Sequence, residues 1–220
     1  MDSSLGDTLA HIYNEMSDFK KEKTGRVPDV IFAVDAIKGL PEIARKKFGA
    51  KRAFLITDAG LTRAGLTDLV SQILEQGGLK VMVYDKVVAN PTVAVIHAGA
   101  DVLRALVVGT GQDSATVVVT LGGGSSMDAG KAIAMLAAQP KGASILDFAR
   151  TPCLNSERNA LDFNSLRPKA RPRGTLPIIA VPTTSGTASE TNGAAVISGT
   201  IAGQCCYLNS HHAHRLPMTG

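Results

Sequence analysis

The chain has 220 residues, 45% hydrophobic and 19% charged, which excludes a disordered polymer and supplies apolar material for one sizeable core. Aromatics make up only 4% and Trp is absent, so the core must be built from Val, Ile, Leu and Ala, as in a buried parallel sheet. The net charge of +4 and the pI near 9.0 come largely from Arg150, Arg158, Arg167, Lys169, Arg171 and Arg173; with only Phe163 among them as a stacking platform, that stretch reads as a solvated loop and not a nucleic-acid surface.

Residues 4–22 carry Leu5, Leu9, Ile12, Tyr13, Met16 and Phe19 at helical spacing, which predicts an amphipathic helix within an N-terminal extension over 1–26. Thr24–Pro28 breaks it. From there strand and helix patterns alternate. Val30–Val34 is a short apolar run and Ala36–Phe48 has helical spacing. Ala53–Thr57 is a strand, and Thr62–Gln76 is a helix stopped by Gly77 and Gly78. Lys80–Tyr84 is a strand, Thr92–Val108 a helix, Thr116–Leu121 a strand, Ser126–Ala138 a helix and Leu176–Val181 a strand. This order predicts an α/β fold, a Rossmann-like parallel sheet with helices on both faces, over residues 27–198. The polar, basic stretch 149–174 interrupts the pattern as a surface excursion, and 199–220 shows no periodicity.

Three cysteines, Cys153, Cys205 and Cys206, make no disulfide framework and favour a reducing compartment. No apolar run approaches the ~20 residues that span a bilayer. The N-terminus lacks a signal-peptide core, and its acids Asp2, Asp7, Glu15 and Asp18 disfavour a transit peptide. The expectation is a cytoplasmic chain with neither membrane nor nucleic acid as partner.

The strongest local signal is Leu121-Gly122-Gly123-Gly124-Ser125-Ser126-Met127-Asp128, set between a strand and a helix. Its glycines remove the side chains that would keep a ligand from the backbone. N–H groups at the helix start can then face a pyrophosphate, helped by the helix dipole. Ser125 or Ser126 can cap the helix, and Lys131 lies one turn in. Gly109-Thr110-Gly111 lacks the third glycine of a dinucleotide fingerprint and reads as a loop.

Asp58 ends a strand, where a carboxylate can accept hydrogen bonds from a ribose diol and repel a 2′-phosphate; an N-cap role explains it equally well. Asn90-Pro91-Thr92 suits a helix start. Pro182–Glu190 follows a strand and gathers five hydroxyls, enough to hydrogen-bond a sugar–phosphate without carrying charge.

In order and approximate spacing, Asn90-Pro91-Thr92, Leu121–Ala134 and Ile179–Glu190 resemble the iron-containing, or group III, alcohol dehydrogenases, and Lys51–Asp58 resembles that family's first nucleotide-site strand. The likeness covers roughly residues 27–198. It implies a two-domain dehydrogenase of the dehydroquinate-synthase-like fold: an N-terminal α/β domain that binds NAD, and a helical C-terminal domain that holds Fe²⁺ or Zn²⁺ through an Asp and three His. By position, the resemblance places Asp58 at the adenosine ribose and Asn90 at the nicotinamide side. It places Gly123, Gly124 and Ser125 at the pyrophosphate with Asp128 nearby, and Thr183, Thr184 and Thr187 along the groove. It further implies hydride transfer between a small alcohol and its aldehyde or ketone, with the metal polarising the alcohol oxygen, and a homo-oligomer for a complete chain.

Beyond Ser198 the likeness to that family stops, and no position matches its metal ligands, so no catalytic or metal residue is assigned. Cys205, Cys206, His211, His212 and His214 do stand in the tail, but adjacent pairs on an extended chain point apart and chelate poorly. The expectation is therefore a cofactor-binding half followed by a divergent tail. Alternatives are a catalytically inactive dinucleotide-binding fragment or truncated isoform, and a relative of the metal-independent maleylacetate reductases.

Overall fold

The computed structural model describes residues 28–108, 115–148, 153–155, 160–162, 172–201 and 204–209. The expected helix at 4–22, the Gly109-Thr110-Gly111 loop and the three tail histidines lie outside them.

Two long stretches of β-branched and aliphatic residues become the central strands. β1 (Arg52–Asp58) is buried at its five interior positions, and β3 (Thr116–Gly122) is buried throughout. β2 (Lys80–Val87) flanks β1 and β6 (Ile178–Pro182) flanks β3, giving a four-stranded sheet in the order β2-β1-β3-β6. Every pairing in it is parallel. Strands buried on both faces need no alternation of apolar and polar residues, which is why these read as continuous aliphatic runs.

Helices cover both faces, as the alternating pattern predicts. On one side, α1 (Leu40–Phe48) and α3 (Leu66–Gln76) bury Leu40, Ala44, Val70 and Leu74 against Leu55, Val117, Val119 and Leu121. On the other, α4 (Val93–Val108) and α5 (Gly124–Ala137) bury Ile96, Leu103, Ile133 and Met135 with Phe54, Ile56 and Val118. The opposite-face partition of Leu55 from Phe54 and Ile56 is the period-two geometry of the strand.

Several boundaries differ from the sequence pattern for identifiable reasons. The expected single helix over 62–76 is two, α2 (Ala59–Arg63) and α3, because Gly65 takes a φ of 77° between them. Ala36–Phe48 likewise divides into a 3-10 turn, Ala36–Gly39, and α1. Val30–Val34 forms no strand, and Ile31, Phe32 and Val34 stand exposed. β2 runs on to Val87, and α5 starts two residues earlier than its apolar spacing indicates.

Two antiparallel pairs lie outside the main sheet. β4 (Cys153–Asn155) pairs with β5 (Ala160–Asp162) within the basic stretch. β7 (Val196–Ile201) pairs with β8 (Gln204–Asn209), so the expected boundary at 198/199 falls inside a strand. The tail lacks apolar alternation, so its strand is not legible from pattern; backbone pairing with β7 defines it. Ser198 N–H donates to Pro91 O at 2.8 Å, which ties β7 to the loop before α4.

Candidate functional site

The chain leaves β1 toward β2 on one side of the sheet and returns to β3 on the other. That reversal opens a crevice at the carboxyl ends of β1 and β3, the place where open α/β sheets bind ligands. Three segments singled out in the sequence meet there: Asp58 at the tip of β1, the glycine turn at the tip of β3, and the hydroxyl-rich loop at the tip of β6.

The turn is shaped by what its glycines lack. Gly122 has a φ of 146°, and a Cβ on it would lie 2.5 Å from Ser126 Oγ. A Cβ on Gly123 would lie 3.4 Å from Thr184 Oγ1, and one on Gly124 3.3 Å from Thr187 Cβ, so the hydroxyl-rich loop packs directly against the turn. Thr183 N–H donates to Gly122 O at 3.0 Å and extends the β3–β6 pairing to the crevice mouth.

Neither Ser125 nor Ser126 caps α5, contrary to the sequence expectation; its N-cap is Gly123, with no side-chain hydrogen bond. Both hydroxyls are directed elsewhere. Ser125 Oγ accepts from Asn90 N–H at 3.3 Å, and Ser126 Oγ donates to Asp58 Oδ2 at 3.5 Å. The start of α5 therefore presents backbone N–H groups and the positive end of a 14-residue helix dipole at the crevice.

Asp58 fills the N-cap role weighed for it. Its Oδ1 accepts from Gly60 N–H at 2.7 Å and Leu61 N–H at 3.1 Å, which caps α2. Its other oxygen faces Ser126 across the turn, so the carboxylate is half-buried, oriented and still at the crevice. Asn90 is exposed with a φ of 54°, a left-handed conformation that Asn adopts more readily than most residues. Thr92 Oγ1 accepts from Val95 N–H at 3.4 Å and caps α4, as the sequence suggests.

Asp128 and Lys131 bind the segment between β6 and β7. Asp128 Oδ2 accepts from Val196 N–H at 3.0 Å, and its Oδ1 accepts from Ser189 Oγ and pairs with Lys131 Nζ at 3.0 Å. Lys131 is 3% exposed, so its ammonium is turned into the protein. Its Nζ donates to Ser189 O at 2.9 Å, to Asn192 Oδ1 at 3.3 Å and to Ala194 O. Burial pushes the ammonium below the usual lysine range, while Asp128 and Glu190 oppose that shift. Nothing in the sequence pattern marked Lys131 as internal, because its partners arrive from some sixty residues away.

Thr183, Thr184 and Thr187 are exposed on the crevice side, and Thr187 Oγ1 donates to Glu190 Oε2 at 3.3 Å. Ala188 in the same loop takes a φ of 53°, which costs an L-residue about 1–2 kcal/mol. Among the described residues, no group of three or more His, Cys, Asp or Glu could hold a metal ion. The site fits a dinucleotide's anionic and diol groups.

Comparison with known proteins bears on the family and the fold. The sequence profile described as iron-containing alcohol dehydrogenase matches residues 28–217, and so continues through the tail beyond Ser198. Alcohol dehydrogenase 4 of Saccharomyces cerevisiae (strain YJM789) is 36% identical over 148 residues, 67% of this chain and 32% of that protein. The NAD-dependent methanol dehydrogenase of Bacillus methanolicus is 33% identical over 153 residues, 70% of this chain and 33% of that protein. Among solved structures, a 1,3-propanediol oxidoreductase superposes with a TM-score of 0.63 at 29% identity, covering 85% of this chain and 42% of the other. The chain thus spans about a third of the length of the curated relatives it matches.

Proposed function

The chain belongs to the iron-containing alcohol dehydrogenase family, and from that premise we propose that its α/β unit is the NAD-binding part of a dehydrogenase that interconverts small alcohols and their aldehydes or ketones. The observation that carries this reading is the uncapped start of α5 behind three glycines, beside a carboxylate fixed at the tip of β1. In this reading the backbone N–H groups around Gly123, Gly124 and Ser125 hold the pyrophosphate. Asp58 accepts hydrogen bonds from the adenosine ribose, and Asn90 stands on the nicotinamide side. Thr183, Thr184 and Thr187 donate along the groove, and Asp128 orients the loop that carries them. The bound dinucleotide would supply the hydride acceptor for alcohol oxidation and the donor for the reverse reaction.

The family's name implies iron, and the metal proposed for the whole protein is Fe²⁺ or Zn²⁺, but none of the described residues is assigned to it. The alcohol or aldehyde substrate and a homo-oligomeric state belong to the same proposal for the whole protein. No described helix is long and apolar enough to cross a membrane.

Fluorescence titration with NADH tests the reading: saturable binding supports it, and the absence of binding by folded protein overturns it. A second arm tests Asp58. A carboxylate at the ribose repels a 2′-phosphate, so Asp58→Asn should narrow the preference for NADH over NADPH by roughly tenfold, on the order of 1.4 kcal/mol. An unchanged ratio would remove Asp58 from the ribose site and leave it as the cap of α2.

A further inference from the structure

The loop Thr183–Asn192 is the outer wall of the crevice, yet it contains neither helix nor strand beyond the tip of β6 and holds Ala188 in a strained conformation. One buried cation gathers it. Lys131, on α5, reaches two points of the loop, Ser189 O at 2.9 Å and Asn192 Oδ1 at 3.3 Å, and Ala194 O just beyond it. Asp128, one turn before it, receives Ser189 Oγ and Val196 N–H. The same helix thus presents the glycine turn at its start and grips the facing loop from below.

We propose that Lys131, together with Asp128, is a positioning residue for the dinucleotide: it latches the hydroxyl-rich loop onto α5 so that Thr184 and Thr187 stand opposite Gly123 and Gly124. This rests on the nucleotide-binding reading above. Lys131 acts through the loop and touches no phosphate, because its ammonium is enclosed by protein acceptors. Removing that cation releases several of the loop's ties at once and leaves those to Asp128, so the loop opens more readily.

The test compares the full chain with its Lys131→Met and Ser189→Ala variants by NADH titration at two salt concentrations and by amide hydrogen exchange. Lys131→Met should weaken NADH by about tenfold, the scale of lost hydrogen bonds to a charged group. Exchange should accelerate over 183–196 while the amides of β1 and β3 stay protected. The salt dependence of NADH binding should match the parent's, since no phosphate contact is lost; a shallower dependence would mean that Lys131 meets the phosphate directly and would overturn the latch. Thr187→Ala should weaken NADH in the parent and add little in the Lys131→Met background, as two groups acting through one loop must. Unchanged NADH affinity with full loop protection would also overturn the proposal.

Should Lys131→Met fail to fold, Ser189→Ala removes one tie only and carries the same expectations at a smaller size. Its overturning result is an unaltered loop and unaltered affinity. If the parent chain binds no NADH, the nucleotide reading fails, and hydrogen exchange alone still decides whether Lys131 latches the loop.

Discussion

Gly122→Ala should lower NADH affinity by about a hundredfold, roughly 2.7 kcal/mol, the largest loss expected of any single methyl group in the crevice. Two penalties act together at this position. The φ of 146° is one that residues bearing a Cβ rarely adopt. The added Cβ would also lie 2.5 Å from Ser126 Oγ and 2.7 Å from Ser126 Cβ, well inside the ~3.5–4.0 Å of ordinary carbon contact. Relief requires the first turn of α5 to move, and that turn carries the N–H groups assigned to the pyrophosphate. Titration with NADH, with circular dichroism to confirm the fold, makes the measurement. A folded variant with parental affinity would show that the turn is not the phosphate site.

The second large effect concerns stability. Gly130 lies in the middle of α5, where glycine normally costs a helix about 1 kcal/mol relative to alanine. Propensity alone would therefore make Gly130→Ala stabilising. Packing decides otherwise, because a Cβ there would fall 1.9 Å from Thr120 Cγ2 and 3.2 Å from Thr120 Cβ on β3. The helix would have to lift from the sheet, and overpacking of this kind costs about 1–3 kcal/mol. We expect Gly130→Ala to be destabilising by up to about 2 kcal/mol net, read as a lower denaturant midpoint at unchanged slope. Thr120→Ser removes the clashing methyl, so the pair Gly130→Ala with Thr120→Ser should recover most of the loss. Failure of that rescue would place the close approach elsewhere. The α4–α5 contact shows the same device, since a Cβ on Gly99 would lie 2.5 Å from Ile133 Cδ1.

The two substitutions share one physical origin. α5 approaches β3 closely at Gly130, and its start is held at the strand tips by a turn that admits no side chain at Gly122. The closeness at Gly130 stabilises the domain, and the openness at Gly122–Gly124 leaves backbone donors facing the crevice. One helix therefore links core packing to the ligand site, and Lys131 extends that link to the facing loop.

Much of this was legible before any coordinates. The aliphatic runs Ala53–Thr57 and Thr116–Leu121 announced buried parallel strands, and their glycine-rich or acidic C-terminal tips marked the crevice, because local chemistry at a strand end does not depend on distant residues. The division of α2 from α3 was harder: Gly65 is compatible with a helix until its left-handed φ is seen. The role of Lys131 was not legible either, since its spacing from the glycine turn is local whereas its acceptors at Ser189, Asn192 and Ala194 are not.

Sequence by itself determined the class of fold, the order of strands and helices along the chain, and the three segments that carry the crevice. These follow from hydrophobic period, turn chemistry and strand-end residues, all of which act over a few positions. Only the tertiary structure decided the strand order β2-β1-β3-β6, the engagement of Ser125 and Ser126 with Asn90 and Asp58 in place of capping, and the burial of Lys131 under the hydroxyl-rich loop. Each of these is a contact between residues far apart in the chain, set by how the layers pack, and no local pattern encodes it.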